Sequence, residues 1–120
     1  MPRTTILIID DEAHVRMLYA EELKTQGYHV VLADGSENPQ DLLSMHKPDG
    51  IILDIKLGQS RSGLDVLQQL RCAGATQPII LCTAYDSFRY DLKSIAADAY
   101  VVKSYDSTEL IDTVMRLVAL

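Results

Sequence analysis

Tryptophan is absent from the 120 residues, phenylalanine occurs once, and there are only two cysteines, four prolines and six glycines. The scarcity of cysteine, proline and glycine removes classes of protein. Cys72 and Cys82 form neither a C-x-x-C nor a Cys/His metal spacing and are too few for a disulfide framework, so they read as small buried apolar residues. No Pro/Gly-rich linker, internal repeat or low-complexity tract interrupts the chain. No apolar run approaches the roughly 18 residues of a membrane span. Met1-Pro2-Arg3-Thr4-Thr5 leads into a short apolar run without the h-region of a signal peptide, so a cytoplasmic protein away from membranes is expected. Basic residues are the remaining deficit: Lys plus Arg is 11 against Asp plus Glu 17, a formal charge of -6 with a pI near 4.8. A nucleic-acid phosphate backbone repels that balance, and direct nucleic-acid binding is not expected.

What is present is the composition of one globular domain spanning residues 1–120, with 48% hydrophobic and 23% charged residues. A chain of this length buries about two-thirds of its unfolded surface and folds without a metal or disulfide staple. Five short apolar runs, Thr5 to Ile9, Tyr28 to Ala33, Ile51 to Leu53, Pro78 to Cys82 and Ala99 to Val102, read as strands. Their near-continuous apolar character fits a parallel sheet covered on both faces. Helical periodicity lies between them: Leu110, Ile111, Val114, Leu117 and Val118; Leu64, Leu67 and Leu70; and Val15, Leu18 and Leu23, closed by Gly27. Weaker stripes occupy Pro39 to Met45, with Leu42 and Leu43 inward, and Ser87 to Ala97, with Leu92, Ile95 and Ala96 inward. Five strands alternating with five helices predict an α/β fold, a doubly wound (βα)5 parallel sheet of flavodoxin-like order 2-1-3-4-5.

Ligands of such sheets bind at the carboxyl ends of the strands, near the switch point between the first and third. The residues following the strands are Asp10, Asp11 and Glu12, then Asp54, Thr83 and Lys103. Each has a plainer explanation by itself: a helix cap for Asp10 or Asp11, a turn residue for Asp54, a local backbone partner for Thr83, a solvated charge for Lys103. Together those explanations leave a cluster of carboxylates with one ammonium unexplained. Two carboxylates about 4 Å apart repel by roughly 1 to 4 kcal/mol, so a cation is expected there. An incomplete set of oxygen donors suits Mg2+ or Mn2+ over a fully caged Ca2+. A metal, a hydroxyl and a lysine around a carboxylate can stabilise a transferring phosphoryl group, and a carboxylate can itself accept it.

Asp10-Asp11, Asp54, Thr83-Ala84 and Lys103, at these separations, resemble the receiver domain of two-component response regulators, the CheY-like superfamily, over the whole chain. The resemblance implies that Asp54 is the phosphoacceptor. It implies a metal held by Asp11, by Asp10 through water, by Asp54 and by the backbone carbonyl of Lys56. Thr83 and Lys103 would contact the phosphoryl group, and Tyr100 would be the switch aromatic, for which a tyrosine simply packed at the sheet edge is the plainer alternative. The implied phosphodonor is a sensor histidine kinase or phosphotransfer protein, so none of His14, His29 and His46 is needed for that step. The implied contact for a homodimer or output partner lies on the fourth helix, fifth strand and fifth helix. The protein would act on itself rather than as a conventional enzyme.

Three departures accompany the resemblance. Ser104 follows Lys103 where the family usually has proline, leaving either a trans bond with a rearranged loop or a retained cis bond. The loop from Ile55 to Gly63 has Gly58 in place of the common proline and one extra residue before Gly63. Lys56 and Tyr85 stand at the two variable positions that flank the phosphoryl site. Two further readings compete: a pseudo-receiver that binds partners without phosphorylation, and a phosphatase with an aspartyl intermediate. Against the latter, Asp54-Ile55-Lys56 lacks a second acid two residues on.

Overall fold

The computed structural model describes residues 3–58, 61–85, 87, 96–104 and 106–120. In chain order the elements are β1 (Thr5–Ile9), α1 (Ala13–Thr25), β2 (His29–Ala33), α2 (Pro39–His46), β3 (Gly50–Leu53), β4 (Lys56–Leu57), β5 (Arg61–Ser62), α3 (Gly63–Cys72), β6 (Ile79–Thr83), β7 (Ala99–Val102) and α4 (Thr108–Leu117). Five of the strands pair in one all-parallel sheet of order β2-β1-β3-β6-β7, which is the expected 2-1-3-4-5 order of a doubly wound α/β fold.

The apolar strands are continuous because each feeds two cores at once. Leu7, Ile9, Ile51, Leu53, Ile79 and Leu81 point to one face, where they meet Leu42 of α2 and Leu64, Val66, Leu67 and Leu70 of α3. The intervening Ile6, Ile8, Ile52, Ile80 and Cys82 point to the other, against Tyr19, Ala20 and Leu23 of α1 and Leu110, Ile111 and Val114 of α4. Side chains alternate across a strand, so an unbroken aliphatic run serves two helical layers. Each fully buried aliphatic side chain contributes about 1.5 to 3 kcal/mol.

The structure corrects parts of the sequence reading. Leu18 is 47% exposed, because the buried face of α1 runs through Tyr19, Ala20 and Leu23 instead. Cys72 is exposed at the end of α3, while Cys82 is buried as expected. The segment after β3, taken as a plain loop, holds the short antiparallel ribbon β4–β5. Thr83 is the last residue of β6 rather than the first beyond it. Most of the helix expected from Ser87 to Ala97, including Leu92 and Ile95, lies outside the described residues; Ala96 and Ala97 pack against the first core.

The sheet's hydrogen-bond ladder runs one residue past its strands at the carboxyl edge. Asp10 N–H donates to Ala33, Asp54 N–H to Ile9 at 3.0 Å and Lys103 N–H to Thr83 at 2.7 Å. Gly63, opening α3, passes beneath Asp54 so closely that a Cβ there would sit 1.8 Å from the Asp54 carbonyl oxygen. Gly63→Ala is expected to destabilise the fold by about 3 kcal/mol through this backbone clash. Urea unfolding checks it, and an unchanged midpoint would contradict the packing described.

Candidate functional site

At the carboxyl edge of β1, β3, β6 and β7, the ladder places Asp10, Asp54, Thr83 and Lys103 around one point. Asp10 is 3% exposed and Asp54 5%. The Lys103 ammonium donates to Asp10 Oδ2 at 2.8 Å and to Asp54 Oδ2 at 3.0 Å, and lies 3.5 Å from Glu12 Oε1. Carboxylate oxygens of Asp10, Asp11, Glu12 and Asp54 all fall within 4.8 Å of one another. Among the described residues, four carboxylates thus cluster at this edge, and three of them lie within 4.0 Å of the Lys103 ammonium. Burial pushes the Asp54 carboxyl above the ordinary carboxylate value of 3.8 and Asp10 adds to the rise, while Lys103 only partly reverses it. Burial also works against the Lys103 charge, but Asp10 and Asp54 outweigh it and hold the amine protonated above its ordinary range.

Each carboxylate is held differently. Asp10 Oδ1 accepts the Glu12 N–H at 2.9 Å, and its backbone carbonyl accepts from the Arg16 guanidinium. Asp11, exposed, accepts the Gly58 N–H on Oδ2 at 3.0 Å. Thr83 is fully buried, and its hydroxyl is the one buried side-chain polar atom among the described residues without a hydrogen-bond partner. It sits near enough to Asp54 to favour the carboxylate slightly without reaching hydrogen-bonding geometry. A buried orphan hydroxyl costs about 1 to 3 kcal/mol, which marks a place where an acceptor is wanted.

Lys56 is exposed, with Nζ 4.4 Å from the centroid of the Tyr85 ring, so the two flanking positions touch across the site's mouth. Tyr100 is half-buried against the first core, and its hydroxyl donates to the Tyr85 carbonyl. The Lys103–Ser104 bond is trans. Ser104 Oγ donates to the Asp106 carbonyl at 2.6 Å, and Asp106 Oδ1 in turn accepts the N–H of Thr108, the first residue of α4, at 2.9 Å. Behind the sheet edge, burial pushes the Cys82 thiol up to about 12, which makes it an inert packing group.

The sequence placed Asp10, Asp11, Asp54, Thr83 and Lys103 together, and the structure brings these five to one edge. Glu12, read only as a neighbour of the acidic pair, joins the cluster. Arg16 and the Gly58 N–H were not anticipated: one acts through a guanidinium a turn into α1, the other through a main-chain donor on the far side of the site. The donor set fits a hard divalent cation. It is all oxygen, two of its carboxylates are exposed, and its negative charge exceeds what Lys103 balances.

The fold is a doubly wound α/β domain whose switch-point edge gathers acidic residues, a hydroxyl and a lysine. The chain belongs to the response regulator receiver domain family, whose model matches residues 6–115. It is 34% identical over 108 residues to the response regulator MprA of Mycolicibacterium vanbaalenii, covering 88% of this chain and 46% of that protein. It is 36% identical over 115 residues to the transcriptional regulatory protein PdtaR of Mycobacterium tuberculosis, covering 91% of this chain and 54% of that one. The chain thus spans about half the length of these curated relatives. Among solved structures, the response regulator TrrA of Thermotoga maritima in complex with Mg2+-BeF is 41% identical, with a TM-score of 0.83 over 95% of this chain and 98% of that one. TrrA in complex with the histidine kinase ThkA matches at 39% identity and a TM-score of 0.80, over 97% of this chain and 99% of the matched chain. This chain is accordingly a receiver domain of a two-component response regulator. Among the described residues no helix is long and apolar enough to cross a membrane.

Removing either partner of the central ion pair separates the two charges. Lys103→Met leaves Asp10 and Asp54 uncompensated and is expected to destabilise the fold by about 3 kcal/mol at neutral pH. The Lys103 contribution is present up to its ordinary value of 10.5 and lost as pH climbs through the higher folded value. Asp54→Asn has the opposite sign. Ionised Asp54 costs stability, so the variant is more stable than the parent at pH 7, and the gain shrinks as pH falls through the raised folded value toward 3.8. Urea midpoints of both variants across pH, without divalent metal, check the pair; equal signs would contradict it.

Proposed function

We propose that Asp54 accepts a phosphoryl group from the phosphohistidine of a sensor histidine kinase or phosphotransfer protein, and that residues 1–120 form one receiver domain serving this step in the cytoplasm. The observation that carries the reading is the Lys103 ammonium shared between Asp10 and Asp54, beside the partnerless Thr83 hydroxyl. Asp54 Oδ attacks phosphorus as the P–N bond to the donor imidazole breaks, and the imidazole nitrogen keeps the electron pair. Lys103, already within hydrogen-bonding reach of Asp54, is placed to contact a phosphoryl oxygen, and Thr83 Oγ1 has its hydrogen free to donate to another. Asp11, Asp54, Asp10 through water, and the backbone carbonyl of Lys56 are the residues that would hold Mg2+ or Mn2+. Such an ion, when bound, would supply positive charge to offset that on the phosphoryl oxygens.

Phosphorylation takes Asp54 from about -1 toward -2 and adds acceptor oxygens. Thr83, moving toward them, leaves room beside β6, and Tyr100 on the neighbouring β7 is the side chain able to respond. Its hydroxyl is tied to Tyr85, two residues beyond Thr83. The face carrying β7 and α4 is therefore the proposed contact for an output partner or a second copy; the fourth helix, expected to share in it, lies outside the described residues. This is self-modification and not turnover of a separate substrate.

With Mg2+ and acetyl phosphate, intact-mass analysis is expected to show one added phosphoryl group, absent from Asp54→Asn and abolished by a chelator. A folded, Mg2+-loaded protein that gains no phosphoryl group would overturn the reading in favour of a phosphorylation-independent binding module. Equal labelling of Asp54→Asn would move the acceptor elsewhere.

A further inference from the structure

Asp11 is exposed, and an exposed carboxylate on a free rotor loses side-chain entropy when it is recruited to a cation. In this fold it is not free. Its Oδ2 accepts the Gly58 N–H at 3.0 Å, across 47 residues of sequence. Gly58 turns the chain beyond β4 at φ +75°, and a Cβ there would touch nothing within 4 Å, so glycine is required by conformation and not by space. The ribbon that carries it is fixed at its base. Lys56 pairs with Ser62 and Leu57 with Arg61, Leu57 is buried, and the Arg61 guanidinium donates to the carbonyls of Gly35 and Glu37. Proline at this position would have no N–H to offer and a φ near -65°.

We propose that the main-chain N–H of Gly58 is the positioning donor for Asp11: by occupying Oδ2 it aims the remaining oxygen at the Asp10–Asp54 cluster and pre-organises the carboxylate for a divalent cation. This inference rests on the reading of the cluster as a Mg2+ site. Carboxylates that ligate metals are themselves generally hydrogen-bonded, and losing such a partner typically weakens metal affinity about 10-fold or more.

The test replaces Gly58 by glycolic acid in the 120-residue chain, turning the amide into an ester that keeps the turn's conformational freedom, removes the N–H and weakens the Leu57 carbonyl as an acceptor, an effect the ribbon's hydrogen exchange reads separately. Titration calorimetry with MgCl2 is expected to show affinity about 10-fold weaker than the parent, while hydrogen exchange of the paired strands Lys56–Leu57 and Arg61–Ser62 is unchanged. Unchanged affinity overturns the proposal, as does a loss accompanied by collapse of that pairing. In the parent, the Gly58 amide is expected to be protected with and without Mg2+ and to lose protection in Asp11→Ala. Protection lost on adding Mg2+ to the parent also overturns it, since the bond then competes with the cation. A parent that binds no Mg2+ defeats the metal-site reading and this inference with it.

Discussion

The ion pair of Lys103 with Asp10 and Asp54 is the interaction on which the sheet edge depends. Two carboxylates, one on the end of β1 and one on the end of β3, are almost wholly removed from water, and the ammonium from the end of β7 lies within 3.0 Å of both. Without it the three strand ends would carry uncompensated buried charge. The compensation is incomplete by construction. Asp54 still titrates above the ordinary carboxylate value, and Asp11 and Glu12 bring two more charges to the rim. The resting site is balanced enough to fold and negative enough to attract a cation.

The rest of the molecule holds that imbalance in place. Two aliphatic layers fix the strands, and the ladder continuing through Asp10, Asp54 and Lys103 fixes the backbones of the charged residues, so their side chains have little choice of direction. Gly63 allows α3 to start directly under Asp54. Thr83 carries its unpartnered hydroxyl from the strand between β3 and β7. A site built on strand ends is stiff on its sheet side. Lys56 of β4 over Tyr85, and the Tyr100 hydroxyl of β7 on the Tyr85 carbonyl, lie around its rim.

Much of this was legible in the sequence. Continuous aliphatic runs such as Ile6 to Ile9 and Ile51 to Leu53 specify strands covered on both faces, and the position of a polar residue after each run specifies which edge it reaches. Asp10, Asp11, Asp54, Thr83 and Lys103 were therefore recognisable as one constellation before any coordinates. What was not legible depends on main-chain groups and helix rotation. Leu18 fits an apolar stripe as well as Tyr19 does, and only the packing of α1 on β1 and β2 decides between them. The Gly58 N–H bond to Asp11 has no side-chain signature, because the donor is a main-chain group. The β4–β5 ribbon is two residues per strand, too short for periodicity to declare itself. Arg16 reaches a carbonyl, which no residue pattern announces.

The most direct measurement of the central claim is a crystal structure of this chain grown with Mg2+ and beryllofluoride, whose beryllium stands in for the phosphorus of an aspartyl phosphate. The account predicts beryllium bonded to Asp54 Oδ, fluorines contacting Lys103 Nζ and Thr83 Oγ1, and the cation on Asp11. Beryllium on Asp10 or Glu12, or a Lys103 ammonium still bound only to carboxylates with Thr83 unmoved, would contradict it.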